Sequence, residues 1–224
     1  MTTDKMRQKT VAALLKRASK DFKGKEKALF CAFIEHFYGR GAPDDLLTDS
    51  EDTLYGIVKS YFELTSNRKR YSSKVRVFNP TVAKEGWTTH HTVIQLVNRD
   101  MPFLVNSITG GLVNTKHLRL HMVNHPVLGV ARDDEGNLAK IFPHRNDDGA
   151  KKESYIYIEV DAISDPKELK ALEVFVSDIL DDIRSAVRDW QPMNDKLDEA
   201  VASLSICPPP IAPSITAELV EFLH

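Results

Sequence analysis

Between Val97 and Thr109 the chain reads VNRDMPFLVNSIT, so Asn98, Arg99 and Asp100 come just ahead of Met101-Pro102 and an amphipathic run with Phe103, Leu104, Ile108 and Leu112. The alternation from Thr92 to Val97 predicts a strand entering this turn, and the apolar spacing after the proline predicts a helix leaving it. A helix start leaves backbone N–H groups unpaired beside the positive end of the helix dipole, a natural seat for a carboxylate or phosphate. In that arrangement the N–H groups near Phe103 and Leu104 hold a carboxylate, Asp100 pairs with an ammonium, and Asn106 hydrogen-bonds the same ligand. Spacing alone favours a plainer arrangement, in which Asp100 caps the helix and Asn106 faces solvent or a partner chain. The candidate effector turn therefore comprises Asn98, Arg99, Asp100, Met101, Phe103, Leu104 and Asn106. No catalytic residue is expected, since Ser107 has no evident base partner.

Other chemistry-bearing residues are less well spaced. His117, His121 and His125 fall in a strand pattern, where a spacing of four residues separates side chains by about 13 Å. That is too far for one ion, so a polar sheet face or an interface is expected and no metal site. The nearest approach to a dinucleotide cradle, Gly39-Arg40-Gly41, has Asp44 at the third glycine position and no preceding strand. Neither GxxxxGK[ST] nor HExxH occurs, so no cofactor is expected in this segment. Gly110 and Gly111 fall inside the predicted helix, where close packing against the sheet would require them. Cys31 and Cys207 cannot build a disulfide framework, and Cys31, among Phe30, Phe33 and Ile34, reads as a buried thiol.

The elements that must position the turn follow from pattern. Helical spacing marks Val11 to Ala18, Leu29 to Phe37 and Leu54 to Thr65, the last with Asp49 or Ser50 as N-cap and Arg68-Lys69-Arg70 at its negative end, where a solvated basic run is expected rather than a phosphate contact. Strands are expected at Val75–Asn79, His91–Val97, Leu118–Arg132, Leu138–Phe142 and Ser154–Asp161, with a hairpin turn at Asp133–Asn137. A helix runs from Phe103 to about Lys116. A second begins at Asp165-Pro166 with Glu168 in a capping box and ends at Gln191-Pro192. Cys207-Pro208-Pro209-Pro210 reads as an extended linker, and Ser214 to His224 as the first turns of another helix, so a longer polypeptide is expected. The regions are thus 1–72, helical; 73–193, mixed; and 194–224, helix, linker and the start of a further domain.

Strand, helix, strand, strand, helix is nearly the ferredoxin-like plan, with Val75–Asn79 filling the place of the missing last strand. The expected fold is α+β: an antiparallel sheet in the order 75–79, 91–97, 154–161, 118–132, 138–142, with both long helices on one face. The other face would be bare and would call for association. With 42% apolar and 28% charged residues and a formal charge of −2, the composition is that of an ordinary globular protein with no call for nucleic acid. No apolar run is long enough for a bilayer and no secretory signal is visible, so no membrane association and a cytoplasmic location are expected.

VRVFNP (75–80), GWTTHHTVIQLVNRDMPFLVNSI (86–108), HPVLGVARDDEGNL (125–138), ESYIYIEVD (153–161) and VRDWQPM (187–193) together resemble the amino-terminal part of the large bacterial NAD-specific glutamate dehydrogenases. That resemblance implies an ACT-like fold, a catalytic domain far downstream, and NAD in the parent enzyme only. It also implies a regulatory or assembly role, with the rest of the parent chain, a homo-oligomer and an amino-acid effector as partners. Asn106 stands where the family usually has an aspartate, and Arg99 where a second acid is common, which weakens a grip on an ammonium and leaves either an anion or no ligand at the turn. A purely structural assembly domain and a stand-alone ACT-type amino-acid sensor are the alternatives.

Overall fold

The computed structural model describes residues 3–39, 49–69, 72–206, 210 and 212–223. The chain divides into two compact units, residues 1–180 and 181–224.

The first unit opens with three helices, α1 (Thr3–Asp21), α2 (Gly24–Gly39) and α3 (Glu51–Thr65). Ser50 caps α3 as its sequence suggests, its Oγ accepting from Thr53 N at 3.1 Å. Strands β1 (Lys74–Phe78), β2 (Thr92–Arg99), β3 (Leu120–Asn124), β4 (Val127–Arg132), β5 (Leu138–Ile141) and β6 (Lys151–Val160) then build an antiparallel sheet, with the short helix α4 (Val82–Glu85) between the first two. The order is β1-β2-β6-β4-β5, with β3 also on β6. This is the expected order, with β1 in the vacancy beside β2.

One expected strand is two. Leu118–Arg132 breaks at His125-Pro126, because proline has no N–H to give a ladder. The register survives: Asn124 faces Tyr157 and Val127 faces Ser154, while Tyr155 N donates to Pro126 O at 3.0 Å. His117 and His125 therefore lie outside β3, His117 with φ 54°, and the three histidines do not share a strand face.

The helix after the turn is α5 (Leu104–Gly110), which widens into a π turn at Gly111–Thr115. Gly111 is needed for packing, but against the next helix and not the sheet. A Cβ there would lie 2.6 Å from Ile179 Cδ1. That next helix, α6 (Pro166–Ile206), starts where expected, with Asp165 Oδ1 accepting from Lys167 N at 2.8 Å. It does not end at Gln191-Pro192. Pro192 removes only the N–H directed at residue 188, and the residues around it are exposed, so water can reach that carbonyl. The second unit contains the remainder of α6, with Val201 buried and Trp190, Met193 and Leu197 exposed, and α7 (Pro213–Leu223). Residues 207–209, most of the expected linker, lie outside the described residues, as do 40–48, 70 and 71.

The expected bare face is covered. Alternate residues of β2 and β6 (Val93, Val97, Tyr155 and Tyr157) join one core with Phe30, Phe33, Phe37, Ile57, Val58 and Tyr61 of α2 and α3. Phe33 sits edge-on to Tyr155 at 5.2 Å between ring centres, and Tyr61 donates its hydroxyl to Ile156 O. Each such buried aromatic contributes about 1.5–3 kcal/mol relative to exposure. Helical spacing identified the stripes on these helices but not what they face. On the opposite side, Ile94, Leu96, Ile156, Ile158 and Val160 are fully buried, and the apolar stripes Leu104 and Ile108 of α5, Leu112 of the π turn, and Leu172, Val176 and Leu180 of α6 are buried as well.

Candidate functional site

A groove of about 670 Å³ opens where β2 ends and β6 begins. Its floor carries Arg68, just after α3, together with Arg132 at the end of β4 and Glu153 of β6. The Glu153 side chain is 2% exposed, and both guanidiniums converge on it. Arg132 Nε and Nη2 donate to its two oxygens, each at 2.8 Å, Arg68 Nη2 donates to Oε1, and the Tyr155 hydroxyl donates to Oε2 at 3.1 Å. Burial pushes the Glu153 carboxyl up, but the hydrogen bonds and charge of Arg132 and Arg68 outweigh it and hold its pKa below the ordinary value. Arg132 also donates to Thr65 O, Thr65 Oγ1 and Gly136 O, so the cluster ties the end of α3 to the β4–β5 hairpin.

The seven residues of the expected turn divide. Arg99 and Asp100 line the groove. Asp100 does not cap α5. Its N–H donates to Lys152 O at 3.0 Å, and its Oδ1 accepts from Ser154 Oγ at 2.6 Å. Asn98 is buried, donating to Arg99 O at 2.9 Å, and Leu104 belongs to the core. Met101 is half-buried and Asn106 exposed. The cap position belongs to Phe103, without a side-chain cap bond. Phe103 holds φ 68°, yet its side chain is left in solvent with the residue 62% exposed.

Arg68 is a correction to the sequence reading, which placed it on a solvated helix end. It is 6% exposed and paired. Strand phase contained the missing signal. Glu153 shares the face of Tyr155 and Tyr157, so its carboxylate had to be buried and had to find a cation.

At the other end of β6, the rings of His91 and His121 stack with centres 4.0 Å apart. Their nitrogens lie 2.7 Å from Glu159 Oε2 and 2.8 Å from Asp161 Oδ1 respectively. Among the described residues no group of three or more His, Cys, Asp or Glu is arranged to hold a metal ion. No described helix is long and apolar enough to cross a membrane.

An antiparallel α+β sheet with paired helices on one face, preceded by helices, is the ACT-like class. Residues 33–175 match the family model for the glutamate dehydrogenase ACT1 domain, and the chain belongs to that family. Similar full-length proteins are named NAD-specific glutamate dehydrogenase. That of Halomonas elongata is 34% identical over 203 residues, covering 89% of this chain and 12% of that protein. That of Pseudomonas aeruginosa is 32% identical over 173 residues, covering 77% and 11%. The chain thus spans only a small part of the length of the curated relatives it matches.

Proposed function

We propose that this chain is a non-catalytic N-terminal segment of an NAD-specific glutamate dehydrogenase, and that it regulates or helps assemble that enzyme. On this reading the parent chain oxidatively deaminates L-glutamate to 2-oxoglutarate with NAD+ bound in a domain elsewhere. The observation that supports the role is Phe103. The left-handed backbone costs a residue with a side chain roughly 1–2 kcal/mol, and here no burial of the ring offsets it. Strain and exposure together at the mouth of a turn suit contact with another molecule.

Calorimetry of the chain with a panel of amino acids tests the regulatory form. Saturable heat at millimolar ligand, lost in Asp100→Ala and Asn106→Ala, is the expected result, and a flat titration across the panel sinks sensing by this turn. The assembly form is favoured by the same exposed ring. Sedimentation should show weaker self-association for Phe103→Ser than for the parent sequence, and equal association would remove that reading.

A further inference from the structure

We propose that the groove between the end of β2 and the start of β6 seats a compact anion carrying two or more negative charges, a phosphate group or a dicarboxylate. The proposal does not depend on the regulatory reading. It starts from the charge on the groove floor. Two guanidiniums, with side chains 8% and 10% exposed, share one carboxylate that is 2% exposed. One positive charge is therefore left over where water screens it poorly. Arg132 spends its donors on Glu153, Thr65 and Gly136. Arg68 Nε is enclosed and, among the described residues, has no hydrogen-bond partner.

Above this floor, Arg99, Lys151 and Lys152 line the groove from two adjacent strands. All three are exposed, and among the described residues their side chains make no ion pair. The aspartates of the lining keep their negative charge, but two of the three are bonded to their own neighbours. Asp133 closes its own hairpin turn, accepting from Asn137 N at 2.7 Å and Asn137 Nδ2 at 3.0 Å. Asp100 accepts from Ser154, and among the described acidic residues of the lining Asp134, exposed in the hairpin turn, is the one without a side-chain hydrogen bond or ion pair. Five cations against the four carboxylates Asp100, Asp133, Asp134 and Glu153 leave the groove net positive, with exposed cations on both strands beside a surplus buried charge, and this favours a ligand with several negative oxygens. A zwitterion would bring its ammonium into the same field. Arg99, Lys151 and Lys152 are the contact residues, and the Arg68–Glu153–Arg132 cluster positions them.

The test is a nitrogen–proton NMR titration of the 224-residue chain with inorganic phosphate, succinate and glycine, at ionic strength held constant with sodium chloride. Saturable shifts at the amides of Arg99, Lys151 and Lys152 and at Arg68 Nε are expected with an anion, and none with glycine. The doubly substituted Lys151→Ala, Lys152→Ala chain should bind at least about tenfold more weakly while keeping its dispersed spectrum. Tighter phosphate points to a phosphate ester and tighter succinate to a dicarboxylate, and either order upholds the anion seat. The proposal is overturned if neither anion saturates, if glycine binds as tightly as both, or if the folded double variant binds equally well. Should the double variant unfold, Arg99→Gln serves in its place with the same expected loss.

Discussion

Toward α1–α3 the sheet presents Gln95, Glu153 and Glu159 among Val93, Val97, Tyr155 and Tyr157, whereas the centre of its other face is aliphatic, with Ile94, Leu96, Ile156, Ile158 and Val160, and polar only toward its ends at Thr92, Asn98 and Ser154. Both faces exclude water equally well, but by different means. On the first, directional bonds accompany the packing: Gln95 Nε2 to Ser60 Oγ at 2.7 Å, Tyr157 Oη to Glu159 Oε1 at 2.5 Å, and Tyr61 to the Ile156 carbonyl. On the second, apolar contact carries the load, and apolar contact has no preferred direction. The directional bonds therefore help to specify how the N-terminal helices dock, whereas volume-conserving changes on the aliphatic face carry a modest cost.

The strongest way to break this contrast is to remove its buried carboxylate. Glu153→Ala leaves Arg68 and Arg132 enclosed without a counter-ion and is expected to cost about 3–5 kcal/mol in urea unfolding. Titration sharpens the same point. The folded pKa of Glu153 is depressed, so its contribution is complete above the unfolded value of roughly 4.3 and fades as pH falls through the folded one. Glu153→Gln should flatten the acid limb of the stability profile; an unchanged limb would assign acid sensitivity to other carboxylates.

Next come the two glycines, one on each side. A Cβ on Gly56 would lie 2.0 Å from the Trp87 ring, itself buried, whereas one on Gly111 meets the methyl end of Ile179 at 2.6 Å. Gly56→Ala should cost about 1–3 kcal/mol and Gly111→Ala less, because a terminal methyl swings aside more readily than an indole. Equal losses in thermal melts would show that ring and methyl yield alike. The smallest effect belongs to Ile158→Val, where one methylene is lost from the aliphatic face for about 0.5–1.5 kcal/mol. A loss rivalling that of Glu153→Ala would erase the distinction between the faces.

Alternation and turn chemistry carried much of the sheet. The strands 75–79, 91–97 and 154–161 fall in their observed order, and Asp133–Asn137 closes its hairpin because Gly136, at φ 89°, takes a conformation that glycine adopts freely. Local pattern failed where a partner decides. His125-Pro126 splits a strand whose apolar rhythm is unbroken, and Pro192 rides inside a helix it was expected to stop. Of the candidate turn, Arg99 and Asp100 were legible as charged groups beside a helix start. Their neighbours Arg68, Arg132 and Glu153 were not, since residues 68 and 153 are joined only by folding.

From its residues alone this chain determines which segments are strands and helices, how the strands can pair, and the family it belongs to, because periodicity and motif are properties of neighbours along the backbone. What covers the second face of the sheet, which arginines are buried and where the groove opens were decided by tertiary packing. A stripe of Phe and Tyr records that a helix must be buried, and only the surface it meets determines against what.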